Sequence, residues 1–115
     1  MILEFEYLNK DDVGTWVRAN SKTGEVEVKD FTEKRHNQFF AKRPHTIEYL
    51  NEKLEERCFP RTQDGAGETL KRIGLTQYNP LDIVRITHGR LWKDHFWIRF
   101  KGEDLKWEDV AHCFD

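Results

Sequence analysis

Residues 90–101, RLWKDHFWIRFK, are the densest run of aromatic and charged residues in the chain and constrain its fold most strongly. From residue 95 onward two sets of side chains alternate, Phe96, Ile98 and Phe100 on one face and His95, Trp97 and Arg99 on the other. A period of two is typical of a β-strand with one buried face. We therefore predict a strand at about 95–101. The tryptophan on its second face can cover apolar core, stack on a base or anchor a partner protein, and core packing is the preferred interpretation.

Length and composition predict a single globular domain spanning 1–115. A chain of 115 residues has room for one domain with a substantial core and little room for two. Although 35% of its residues are charged, 13% are aromatic, and these rings bury enough apolar area to distinguish the chain from disordered sequences. The chain is therefore expected to fold on its own.

Neither a membrane segment nor a secretion signal is expected. The chain has no run of about eighteen apolar residues, and its start lacks the basic and then apolar pattern of a signal peptide. We therefore predict a cytoplasmic protein with no membrane partner. Its two cysteines, Cys58 and Cys113, are expected to remain reduced and inert in that compartment.

The first thirty residues predict a three-stranded antiparallel meander. Leu3, Phe5 and Tyr7 alternate with glutamates, and further strands are expected at 13–19 and 25–31. Gly24 supplies the positive φ that a tight hairpin between the last two strands needs. If the first strand lay at the edge of the sheet, pairing of that edge would be one route to a dimer.

The stretch 31–44 has no clean period and mixes basic residues with phenylalanines. Exposing two adjacent rings would be costly, so Phe39 and Phe40 are predicted to plug the core. A recognition loop of basic and aromatic groups is the alternative. In either case four basic side chains must face solvent: Lys34, Arg35, Lys42 and Arg43.

Three helices are predicted next. Thr46 is expected to cap the first, Thr62 or Asp64 the second, and Asn79 followed by Pro80 the third. Their expected buried residues are Ile47, Leu50, Leu54, Ala66, Leu70, Ile73, Ile83, Val84 and Ile86. Because strands and helices come in blocks, the predicted class is α+β.

The predicted architecture is a small antiparallel β-sheet, the amino-terminal meander plus the strand at about 95–101, packed against three to four short α-helices. The last helix follows that strand. It is expected to place three apolar residues on one face: Trp107, Val110 and Phe114.

No metal site, cofactor or catalytic residue is predicted. The carboxy-terminal third holds five residues of metal-ligand type, His88, Asp94, His95, His112 and Cys113, but their spacings match no familiar zinc pattern. Arginines near Cys58 can lower a thiol pKa, yet a structural cysteine is the preferred interpretation. An enzyme would require His88 or His95 to converge with Asp94 or Cys58 in a pocket.

Charge is distributed unevenly along the chain. Residues 31–101 carry fourteen basic against nine acidic groups, whereas 1–30 and 102–115 together carry five against twelve. The basic middle can attract an acidic partner, or it can be neutralised by the ends in the fold. A basic stripe for DNA or RNA would draw on Lys34, Arg35, Lys42, Arg43, Arg57, Arg61, Lys71, Arg72, Arg85, Arg90 and Arg99, with Trp92 and Trp97 for stacking. The sequence pI of about 6.2 weakens that alternative, because long-range attraction dominates such affinity.

Four motifs together resemble a family of small proteins carried by Gram-positive bacteria and their phages or mobile elements. The motifs are RCFPR at 57–61, GLTQYNPL at 74–81, ITHGR at 86–90 and FWIRFKGED at 96–104. The likeness covers about 39–110 and brings no activity or catalytic residue with it. It implies a genomic setting in which small charged proteins often act by binding, including as inhibitors of host defence nucleases.

We therefore predict a non-enzymatic binding protein, a regulator or inhibitor whose partner is a protein, with nucleic-acid enzymes among the candidates. Such a protein needs only a rigid surface with a few aromatic and arginine anchors. The predicted binding residues are Arg43, Arg61, Arg90, Trp92, Trp97 and Arg99. Direct nucleic-acid binding and an unrecognised small enzyme are the two alternatives.

Overall fold

The computed structural model describes residues 1–111 and has the predicted α+β architecture. The strands are β1 (Ile2–Asn9), β2 (Asp12–Asn20), β3 (Val26–Asp30) and β4 (Phe96–Phe100). The helices are α1 (Ile47–Glu56), α2 (Ala66–Arg72), α3 (Pro80–Thr87) and α4 (Trp107–Val110), with a single 3₁₀ turn at Arg35–Asn37. No helix within 1–111 is long and apolar enough to cross a membrane.

The four strands form one antiparallel sheet in the order β3-β2-β1-β4. The predicted meander is confirmed, and Gly24 has the positive φ of 78° expected in the β2–β3 hairpin. β1 lies inside the sheet, where Phe5 is opposite Val17 of β2 on one side and Phe100 of β4 on the other. The edge pairing considered for the first strand is therefore excluded, because β1 has no free edge.

Two of the three predicted helix caps are confirmed. The Thr46 side chain accepts a hydrogen bond from the Tyr49 amide, and that of Asn79 accepts one from Asp82. The second cap was predicted wrongly, because neither Thr62 nor Asp64 occupies it. Gly65 precedes α2 instead, with a φ of 79°, a left-handed conformation that glycine adopts without steric cost.

The main core lies between one face of the sheet and helices α1 to α3. Phe39 and Phe40 are fully buried in it, which confirms that they plug the core, whereas Phe31 of the same stretch is exposed. The Phe39 ring lies 5.2 Å from that of Phe5. Nearby, a Cβ atom on Gly14 would overlap the Asn37 carbonyl, so only glycine lets the loop cross the sheet so closely.

A second, smaller core covers part of the opposite face of the sheet. It consists of Leu8, Trp97 and Val110, with Val13, Leu105 and Trp107 packed against it. Both faces of β4 are therefore buried, because α4 returns across the face that carries Trp97. Phe114, His112 and Cys113 lie outside the described residues.

The outer edge of β4 is closed by hydrogen bonds with four residues outside the strand. Ile98 donates to the His88 carbonyl at 2.7 Å, and its own carbonyl lies 3.3 Å from His88 Nδ1. Phe100 donates to Glu103 Oε1, and the Glu103 amide donates back to the Phe100 carbonyl. Phe96 donates to Asp94 Oδ1 and accepts from Arg57. All six outward backbone groups of Phe96, Ile98 and Phe100 are therefore satisfied.

Candidate functional site

Two of the six predicted binding residues are buried, which corrects the expectation that they are available to a partner. Trp97 is fully buried and donates its indole N–H to the Lys10 carbonyl at 2.6 Å. Arg90 is only 7% exposed, and its guanidinium donates to the carbonyls of Val110, Leu91 and Asp94. The physical reason is the second core, which covers Trp97 and sets α4 against Arg90.

Three further predicted residues are exposed or half-buried but form ion pairs within the chain. Arg43 lies 3.1 Å from Glu56, Arg61 2.7 Å from Glu55, and Arg99 2.8 Å from Glu6. A partner would have to compete with these carboxylates. The structure thus brings together no cluster of free arginines from the predicted set.

Trp92 is the remaining predicted residue, and its position is exceptional. Its side chain is 83% exposed, more than any other large apolar residue of 1–111. It occupies a turn in which the Asp94 amide donates to the Leu91 carbonyl. The turn at 91–94 therefore presents the Trp92 indole to solvent.

Two buried arginines hold this turn in place. Arg90 Nη1 donates to the Asp94 carbonyl at 2.6 Å. Arg57 forms a bidentate ion pair with the Asp94 carboxylate at 2.8 and 2.9 Å, and its Nε donates to the Gly89 carbonyl. Arginine suits this role because its planar fork matches a carboxylate. Arg90, which was predicted to contact a partner, thus helps to position the exposed Trp92 instead.

The Asp94 carboxyl is held ionised by this arrangement. Partial burial acts to raise its pKa, but the hydrogen bonds and the positive charge of Arg57 outweigh burial and lower the pKa below its usual value. Arg57 also lies about 6 Å from the rings of Tyr7 and Phe96, so the ion pair is embedded in aromatic surface. The turn is therefore fixed by charge and packing together.

One side of Trp92 borders an apolar groove of about 540 Å³ between α2 and α3. Its apolar lining consists of Phe59, Pro60, Ile73, Ile86, Leu91 and Trp92. Ile86 was predicted to be buried, but 45% of it is exposed, because it lies off the face of α3 that carries Ile83 and Val84. We call this surface the Trp92 groove.

The Trp92 groove has a basic lining. Arg57, Arg72 and Arg90 line it, and no carboxylate does. Arg57 is neutralised by Asp94, whereas Arg72 is exposed at the end of α2 and makes no ion pair within 1–111. The opposite side of Trp92 borders a second, more open groove, whose charged lining is Glu52, Glu55, Glu56, Arg61 and Lys93. The indole thus stands between a basic groove and one of mixed charge.

The groups that an enzyme would need are held in structural contacts. Burial, reinforced by the nearby Glu55, raises the pKa of the Cys58 thiol to about 12, whereas a reactive thiolate needs a lowered pKa. His88 bonds to the edge of β4, and the His95 ring packs 5.5 Å from that of Trp107. Across 1–111, no three His, Cys, Asp or Glu side chains converge as metal ligands would.

Five of the eleven members of the basic stripe proposed for nucleic acid are buried or paired within the fold. Of its members, Arg57 and Arg90 are buried, and Arg43, Arg61 and Arg99 are paired with carboxylates. Six members are exposed and form no ion pair within 1–111: Lys34, Arg35, Lys42, Lys71, Arg72 and Arg85. The expected neutralisation of the basic middle by acidic groups is thus partly observed, with Arg99–Glu6 linking it to the amino-terminal segment.

Comparison of the chain with protein-family models, with curated proteins and with solved structures found no match in any of the three. The resemblance to small proteins of Gram-positive bacteria and mobile elements therefore stays a prediction. The function must be argued from the geometry of the site itself.

Sequence reasoning found Trp92 but missed the residues that surround it. Ile73 packs against the main core as predicted, but its place in the groove was not foreseen. Ile86 was wrongly assigned to the core, and Arg72 was counted only as one of many basic groups. Ile86 does carry a signal, since it lies beside the apolar stripe of α3 and not within it. An apolar residue of α3 that lies off the buried stripe is a sign of a second contact surface.

Proposed function

We propose that this protein is a non-enzymatic binding protein that engages a partner protein through the Trp92 groove. The observation that carries the proposal is the exposed indole of Trp92, held on a braced turn beside an apolar groove. Tryptophan and arginine are the residue types most enriched among the dominant contributors to protein interfaces. The buried ion pair beneath the turn supplies the rigidity that such an anchor needs.

The energetics favour an interface role for this side chain. Burying a tryptophan removes roughly 150–250 Å² from water, equivalent to about 4–6 kcal/mol before the costs of association. Because Trp92 is 83% exposed, most of this area is in contact with water and is available to a partner. Because the turn is already ordered, little conformational entropy is lost when a partner covers the ring.

The groove also indicates the chemistry of the partner. Its apolar lining accepts an aliphatic or aromatic side chain, and the exposed Arg72 on its rim offers a bidentate contact to a carboxylate. The partner surface should therefore combine an apolar side chain with a nearby aspartate or glutamate.

A regulator or inhibitor fits this arrangement, because blocking a partner requires only a rigid complementary surface. The family resemblance extends the proposal to a phage or mobile-element protein that acts on a host nucleic-acid enzyme, such as a defence nuclease. That extension rests on the motifs at 57–61, 74–81, 86–90 and 96–104.

The test begins with affinity capture from nuclease-treated bacterial lysate, followed by affinity measurement with the purified captured protein. Trp92→Ala should weaken binding by about 2 kcal/mol or more, roughly thirtyfold. Arg72→Glu, made as a separate variant, should also weaken binding, because it places a carboxylate opposite the acidic partner group. Ile2→Ala, which trims another exposed apolar side chain at the start of β1, should leave the affinity unchanged.

Unchanged affinity in both Trp92→Ala and Arg72→Glu would show that the partner binds elsewhere. Capture of nucleic acid alone would instead favour direct DNA or RNA binding through the exposed lysines and arginines. In that case affinity should fall steeply between low and physiological salt, because each phosphate contact releases counterions.

A further inference from the structure

The outer edge of β3 is open. The Asn20 amide donates to the Glu25 carbonyl and the Phe31 amide to the Gly14 carbonyl, so the hydrogen-bonded pairs between these two bonds are Glu27 with Arg18 and Lys29 with Trp16 of β2. The backbone N–H and C=O groups of Val26, Val28 and Asp30 therefore point away from the sheet. Within 1–111, none of these six groups has a hydrogen-bond partner. A row of unpaired groups of this kind is a template for another strand.

We propose that β3 pairs with β3 of a second copy of this chain, antiparallel about a two-fold axis through Val28. In this register Val28 of each copy donates to and accepts from Val28 of the other. Val26 lies opposite Asp30 of the second copy, and Asp30 opposite its Val26. All six open groups are then satisfied, and the two sheets join into one of eight strands.

The charges on β3 select this register. Glu27 of each copy lies directly opposite Lys29 of the other, which gives two cross-strand pairs of opposite charge. Shifting the register by two residues in one direction places Glu27 opposite Glu27, and in the other direction Lys29 opposite Lys29. A shift of one residue is excluded, because it aligns open groups with groups already bonded to β2. Among these registers, only pairing centred on Val28 satisfies the open backbone groups and places no like charges opposite each other.

The outer edge of β3 is also accessible to a second copy of the chain. Glu27, Lys29 and Asp30 are exposed, while Val26 and Val28 are half-buried against the main core. Val28 of the second copy would lie beside Val28 and extend the apolar face of the sheet. Two strands of five residues form a small interface, so a weak dimer with a dissociation constant on the order of 100 µM is expected.

Sedimentation velocity from about 10 µM to 1 mM tests the proposal over the range expected for a small interface. Val28→Pro removes the central donor and should abolish the dimer, while proline is tolerated on an edge strand of the monomer. Val28→Thr keeps the N–H and should retain the dimer. Circular dichroism and thermal melting check that both variants remain folded.

Charge reversal tests the register independently of folding defects. Glu27→Lys and Lys29→Glu should each weaken the dimer at least tenfold by placing like charges opposite each other. The double variant restores opposite charges and should recover wild-type affinity, although it still lacks the Arg18–Glu27 pair of the monomer.

Three results would overturn the proposal: a monomer throughout the concentration range, a dimer that survives Val28→Pro, or single charge reversals without effect. None of these variants touches Trp92 or Arg72, so the outcome is independent of the protein-binding function proposed above.

Discussion

The two edge strands of the sheet, β4 and β3, differ in whether their outward backbone groups are hydrogen-bonded. Every outward backbone group of β4 has a partner, supplied by Arg57, His88, Asp94 and Glu103. The outward groups of β3 have none within the described chain. No segment of 1–111 returns along the outer side of β3, whereas the ends of α1 and α3 both reach β4.

The difference follows the chemistry of the two strands. β4 is Phe-Trp-Ile-Arg-Phe, an apolar strand that would pair readily with other chains if its edge were open. β3 is Val-Glu-Val-Lys-Asp, whose charges limit such pairing to a complementary strand. An aggregation-prone edge is thus closed by tertiary contacts, while a charged and short edge is left accessible.

The largest loss of stability is expected when Arg57, which helps to close the edge of β4, is removed. Arg57→Ala leaves Asp94 without its buried counter-ion and Phe96 without a donor, so the free energy of unfolding should fall by about 3–5 kcal/mol. Urea denaturation measures the loss. Arg43→Ala, which removes an exposed pair with Glu56, is the matched control and should cost less than about 1 kcal/mol. Equal effects in the two variants would contradict the role assigned to Arg57.

A smaller effect is expected from Asp94→Asn, and it should depend on pH. At neutral pH the free energy of unfolding should fall by roughly 1–3 kcal/mol, because a charge-assisted contact becomes a weaker one. The folded pKa of Asp94 is lowered, so the wild-type advantage is complete above the unfolded pKa of about 3.9 and is lost as pH falls through the folded pKa.

Denaturation of wild type and Asp94→Asn at several pH values checks this. The difference between their free energies of unfolding should be constant from neutral pH down to about pH 5 and should narrow below about pH 4. A gap that stays constant into the acid range would mean that the carboxylate charge contributes nothing.

The smallest loss of stability is expected at the Phe100 end of β4. Glu103→Ala removes the acceptor of the Phe100 amide and should cost about 1 kcal/mol. Hydrogen exchange offers a more local measurement, in which the Phe100 amide should lose protection while the open Val28 amide is unaffected. A protected Val28 amide in dilute protein would contradict the open edge of β3.

Much of the fold could be predicted because its signals are local. The alternation in β1, the glycine of the β2–β3 hairpin and the caps at Thr46 and Asn79 each depend on a few neighbouring residues. The cap of α2 was missed because Gly65 acts through its backbone conformation and has no side chain to signal it.

The candidate site was predicted only in part, for a related reason. Arg90, Trp92 and Trp97 belong to one aromatic and basic segment, and sequence alone does not distinguish them. Trp97 is buried and Trp92 is exposed because α4 covers the first and nothing within 1–111 covers the second. Arg72 and Ile86 join the groove only because α2 and α3 lie side by side with the turn.

The strands, the helices and their order could be predicted because they depend on the period of apolar residues and on caps within a few positions. Which sheet edge is closed, which tryptophan is buried and which arginines remain exposed without an ion pair depend on how the elements pack together. Those outcomes depend on contacts between distant segments, such as the Trp97 indole bonded to Lys10, 87 residues away along the chain. No local pattern encodes which segment will return to cover another.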